Sequence, residues 1–182
     1  TAVFISGTGS NLKNLIQFSK KKRSPILINL VISNNPKSKG LGFAKKFNIE
    51  RKIFYFKKKA HDEKKLLKIL KDKKINLICL AGFMIILSKN FIQNFKGEIL
   101  NIHPSLLPKY KGLNTHKRVL KNNEKYTGCT VHFVSAKLDS GRIIMQKKIR
   151  IKAKDTPKKI AKKVLTQEHK LYPRAILKIF NL

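Results

Sequence analysis

Acidic side chains are in short supply in this sequence: nine Asp and Glu face 42 Lys and Arg, a formal charge of +33 on 182 residues. A field of that size attracts nucleic acid, phosphate or anionic lipid. The lysines, however, are spread over nearly every predicted helix, form no single stripe, and accompany abundant Ile and Asn. These three residues share A/T-rich codons, so composition accounts for the charge and nucleic acid is not expected as a partner. Cysteine is scarcer still. Cys79 and Cys129 lie among apolar or β-forming neighbours with no CxxC spacing, which reads as two small buried hydrophobes in a reducing compartment and no metal site. No apolar run reaches the ~18 residues of a membrane helix. The opening Thr-Ala-Val-Phe-Ile enters a strand without the features of a signal peptide, so a soluble, cytoplasmic protein is expected.

At this length one domain is sufficient. Val3 to Ile5 is a short apolar run that leads into Ser6-Gly7-Thr8-Gly9-Ser10-Asn11. A helical pattern follows, with Leu12, Leu15, Ile16 and Phe18 on one face. Strand, glycine loop and helix start make a phosphate cradle. The third glycine of a dinucleotide fingerprint is missing, since position 12 is Leu, so a mononucleotide-sized phosphate suits the loop better than NAD. Further strands are expected at Ile26 to Ile32, Lys52 to Phe56 and Ile75 to Leu80, with helices at Leu41 to Phe47 and Asp62 to Lys71. Lys57 to Lys59 reads as a basic loop, and Ser88 as the cap of a helix running to Phe95. This alternation predicts an α/β fold, a mostly parallel, twisted, doubly wound sheet with helices on both faces. Later come a helix at Thr115 to Lys121, strands at Tyr126 to Val134 and Ile143 to Ile151, and a helix opened by Asp155-Thr156-Pro157 and running towards Tyr172.

Chemistry gathers where the run Ile99, Leu100, Ile102 meets Pro104 and Pro108, which cannot continue a strand. Asn101 and His103 therefore sit at a strand end, where α/β sheets collect ligands. An amide donor and an imidazole suit a developing oxyanion. Asp139, in the turn Leu138-Asp139-Ser140-Gly141, is the only carboxylate between Glu124 and Asp155. His116 and His132 read as structural hydrogen-bonding groups, and a helical Glu168 would ordinarily be solvated.

The words SGTGSN, AGFM, NIHPSLLPKYKG, HFV followed by LDSG, and TQEH, in this order from Val3 to about Pro173, resemble phosphoribosylglycinamide formyltransferase, the folate-dependent enzyme of purine biosynthesis. The resemblance implies a single formyltransferase domain over 1–182, with a phosphate-binding half at 1–100 and a catalytic and folate-binding half at 101–182. It implies formyl transfer from 10-formyltetrahydrofolate to the amine of glycinamide ribonucleotide, with no metal. Asn101, His103 and Asp139 would be catalytic. Gly9, Ser10, Asn11, Gln167 and Glu168 would hold the ribonucleotide. Lys59, Met84, Ile85, Ile86, Leu87 and Asn101 would hold the folate. Ile85, Asn114, Ser140 and Arg142 depart from residues common in the family. The implied partners are small molecules, without a membrane, in a monomer or homodimer. Two other readings stand beside it: a catalytic domain like that of methionyl-tRNA formyltransferase, and a non-catalytic basic protein that binds nucleic acid.

Overall fold

The computed structural model describes residues 1–182 and divides into two compact units, Thr1–Asn101 and Ile102–Leu182. The first unit contains strands β1 (Ala2–Ile5), β2 (Leu30–Ser33), β3 (Glu50–Ile53) and β4 (Leu77–Leu80), and most of β5 (Glu98–His103). Its helices are α1 (Ser10–Ser19), α2 (Gly40–Lys46), α3 (Lys59–Asp72) and α4 (Lys89–Asn94). All pairings within it are parallel, in the order β3-β2-β1-β4-β5. Every residue of β1, β2 and β4 is buried. That is why these strands read as continuous apolar runs without alternation. β3 is an exposed edge whose Glu50, Arg51 and Lys52 discourage pairing with another chain.

Register corrects two expected strands. Ala2 pairs with Leu30, so the strand expected from Ile26 begins only where β1 offers a partner. The strand expected at Lys52 to Phe56 is instead Glu50–Ile53, in register with β2. Phe54 and Phe56 leave it for an aromatic cluster, with the Phe56 and Phe83 rings 5.7 Å apart. Lys59 is not in a loop but is the first residue of α3. Ser88 caps α4 as expected, accepting from Phe91 N–H at 3.0 Å.

The second unit contains α5 (Thr115–Lys121), β6 (Tyr126–Phe133), β7 (Ile143–Arg150) and α6 (Pro157–Ile179). β6 and β7 are antiparallel, with a register shift between Val131 and His132. α6 packs on both strands and on α5. It runs well beyond Tyr172 and continues through Pro173, because Leu171, Tyr172, Ala175 and Ile176 keep one face buried across the proline. Packing outweighs the lost helical hydrogen bond there. No helix is long and apolar enough to cross a membrane.

Candidate active site

In the first unit the strand order reverses between β1 and β4, and in open α/β sheets ligands collect beyond the carboxyl ends of the strands at such a point. The glycine loop lies there. Gly9 has φ +75°, and a Cβ on it would come within 2.4 Å of Gly40 Cα, so only glycine lets the starts of α1 and α2 meet. The Gly7 carbonyl accepts from Ser38 Oγ at 2.7 Å and from Gly40 N–H at 3.2 Å, which pins the loop from below. No side chain caps the first turn of α1, which opens at Ser10 directly after the loop.

Met84 to Leu87 follow β4 without regular structure. Met84 and Ile86 are exposed, Ile85 is half-buried and Leu87 is buried. Lys59 is exposed at the start of α3. Asn101 is half-buried on β5, two residues before His103, and therefore on the same face of that strand.

The second unit brings His103 and Asp139 together, with Nδ1 3.3 Å from Oδ2 and both side chains 7% exposed. Nε2 of His103 donates to the Tyr110 carbonyl at 2.8 Å. A carbonyl can only accept, so this nitrogen carries a proton in either charge state, and proton exchange of the ring runs through Nδ1, towards Asp139. Oδ2 of Asp139 also accepts from Gly112 N–H at 2.8 Å. The turn residue Asp139 has φ +45°, and Tyr110 and Gly112 are likewise left-handed. Two of these αL residues thus aim a carbonyl and a carboxylate at one imidazole, and the third, Gly112, holds that carboxylate with its N–H.

A second imidazole belongs to this cluster. His132 Nε2 lies 3.8 Å from Asp139 Oδ1, while its Nδ1 donates to the Phe133 carbonyl at 2.8 Å. Burial lowers its pKa, against the pull of the Phe133 carbonyl and the Asp139 charge. The irregularity at Val131/His132 re-aims this side chain, a signal that alternation along a strand conceals. His116, at the start of α5, also has a pKa lowered by burial and then by the charge of His103. Tyr110 contributes through its backbone alone, so no side-chain pattern could have marked it.

Glu168 is 7% exposed on the inner face of α6, not solvated as a helical Glu ordinarily is. Cys129 on β6 is close enough for the Glu168 charge to act, after burial, in pushing the thiol up to about 12. Gln167 is half-buried beside it.

Residues 1–176 match the sequence model of the formyl transferase family. Phosphoribosylglycinamide formyltransferase of Escherichia coli (strain K12) is 39% identical over 178 residues, 96% of this chain and 84% of that protein. The human trifunctional purine biosynthetic protein adenosine-3 is 41% identical over 178 residues, of which the chain spans only 18% of the relative's length. Among solved structures, phosphoribosylglycinamide formyltransferase from Brucella melitensis superposes with a TM-score of 0.92 at 41% identity, covering 98% of this chain and 93% of that one.

Proposed function

Because the chain belongs to the formyl transferase family, we propose that it transfers the formyl group of 10-formyltetrahydrofolate to the amine of glycinamide ribonucleotide, a step of purine synthesis. The carrying observation is the buried His103 and Asp139 pair, with Nε2 anchored on Tyr110 and Nδ1 left to exchange a proton. In this reaction the amine nitrogen bonds to the formyl carbon, giving an oxyanion and a positive nitrogen. The bond from that carbon to the folate nitrogen then breaks, and the amine's proton ends on the leaving nitrogen. Asn101 and the His103 cation stabilise the oxyanion by hydrogen bonding. Asp139 orients the ring through Nδ1 and accepts the amine proton, directly or through water.

Gly9, Ser10 and Asn11 hold the phosphate of the ribonucleotide at the start of α1, where the helix dipole favours an anion. Gln167 and Glu168 take its sugar or amine. Met84 to Leu87 hold the pterin through their peptide groups, and Lys59 attends the folate tail as a cation. A cytoplasmic setting suits two buried cysteines that form no disulfide. The test is to incubate the protein with 10-formyltetrahydrofolate and either glycinamide ribonucleotide or charged initiator tRNA. Formylated ribonucleotide and release of tetrahydrofolate are expected. Formylation of the tRNA alone, or no transfer to either acceptor, overturns the assignment.

A further inference from the structure

The segment Met84 to Leu87 is tied at both ends. At its exit, Ser88 N–H donates to Glu63 Oε1 at 2.9 Å, and the Ser88 hydroxyl donates to the other oxygen of that carboxylate. Glu63 is 2% exposed on α3, so this is a buried anchor. At its entry, Met84 N–H donates to Ser6 Oγ at 2.8 Å. Ser6 belongs to another part of the chain: it follows β1 and opens the glycine loop. Its hydroxyl proton goes to Asn34 Oδ1 at 2.5 Å, which leaves oxygen lone pairs turned to Met84. The Ser6 backbone is held as well, its N–H on the Gly82 carbonyl at 3.2 Å and its carbonyl under Asn35 Nδ2 at 3.3 Å. One hydroxyl thereby joins the chain ends after β1, β2 and β4, at the point where the strand order reverses.

Peptide groups outside helices and ladders keep their direction only through such anchors. The exposed Met84 and Ile86 side chains offer little packing to hold them. We infer that Ser6 is a positioning residue for the formyl donor, acting through the Met84 peptide to set the direction of the segment Met84 to Leu87. The inference rests on the reading that this segment holds the folate. It assigns Ser6 a role distinct from the phosphate donors a few residues on, because its side chain points to Met84 and Asn34 and is already committed there.

The test compares Ser6→Ala and Ser6→Thr with the parent chain in two measurements: steady-state formyl transfer, and binding of tetrahydrofolate without turnover by calorimetry. Loss of one net hydrogen bond supports about a 3- to 10-fold rise in the KM for 10-formyltetrahydrofolate and in the Kd for tetrahydrofolate in Ser6→Ala. The KM for the ribonucleotide should stay near its parent value, kcat should fall less than the donor KM rises, and Ser6→Thr should restore donor affinity. A merely structural Ser6 would lower the melting temperature and leave the donor constants alone, which overturns the inference. Equal losses for both substrates, or a Thr variant no better than Ala, overturn it as well. If Ser6→Ala does not fold, Asn34→Ala replaces it, with a smaller rise in the same donor constants expected and an unchanged donor affinity counting against Ser6. A parent chain without formyl transfer refutes the proposed function, while the tetrahydrofolate measurement still decides the part played by Ser6.

Discussion

His103 is fixed by groups that leave it one working nitrogen. Nε2 is committed to the Tyr110 carbonyl and Nδ1 faces Asp139 at 3.3 Å, longer than a charge-assisted N–H to carboxylate bond of about 2.7–2.9 Å. That slack suits a nitrogen whose proton is shared with a reacting group. His103→Ala should therefore reduce single-turnover formyl transfer by about 10²–10⁴-fold, the range for a positioned acid or base, with the circular dichroism spectrum unchanged. Asp139→Asn keeps the shape and can still accept from Gly112 N–H, but it removes the carboxylate that faces Nδ1 and would accept the amine proton. A loss of the same order is expected; parent-like rates in both variants would remove the pair from the mechanism. Asn101, His103 and Asp139 stood out in the sequence because an amide and an imidazole end an apolar run and one acid serves a long stretch. His132 did not, since a histidine inside a β-pattern reads as structural until a register shift turns it to the carboxylate.

Among elements, the two capped helices differ in what their caps support. The Thr156 hydroxyl accepts only from Lys159 N–H at 3.3 Å, whereas Ser88 caps α4 and also donates to the buried Glu63. Thr156→Ala should cost about 1 kcal/mol of unfolding free energy, the usual worth of a cap. Ser88→Ala should cost about 2–3 kcal/mol, because it also strips a partner from a buried carboxylate. Urea titrations compare them directly, and a smaller loss for Ser88→Ala would mean that Glu63 finds another donor. Gly9→Ala is expected to be at least as damaging as a left-handed non-glycine residue, about 1–2 kcal/mol, since its Cβ also meets Gly40 backbone. Helix starts were legible from Ser88, Thr156 and Pro157, whose chemistry is local. The end of α6 was not, because proline argues for a stop and only the buried face beyond Pro173 argues for continuation.

Across the whole molecule, charge and buried histidines set how stability responds to solvent. Mutual repulsion of a +33 chain opposes the compact state. Raising NaCl shortens the screening length from about 10 Å at 0.1 M to about 3 Å at 1 M, so the urea midpoint should rise with salt. A falling midpoint would mean that attractive pairs outweigh the repulsion. His116, His132 and His169 all have pKa values lowered from 6.5, with burial the first cause of each. The unfolded chain then binds more protons than the folded one below pH 6.5, so their contribution to stability is present above that value and is lost as pH falls through it. The urea midpoint should be lower at pH 5.5 than at pH 7.5, and His132→Asn should reduce the difference; a difference unchanged by that variant would mean that His132 takes up its proton as readily folded as unfolded. What the sequence determined by itself was local or compositional: parallel α/β alternation, the glycine loop and the strand-end Asn and His, each written in consecutive residues through periodicity and backbone restriction. Tertiary structure alone decided the register that trimmed β2 and β3, the turn of His132 towards Asp139, the Tyr110 carbonyl on His103 and the Ser6 bond to Met84. Those contacts join residues up to 78 positions apart, and the free energy that selects them comes from packing that no short stretch of chain contains.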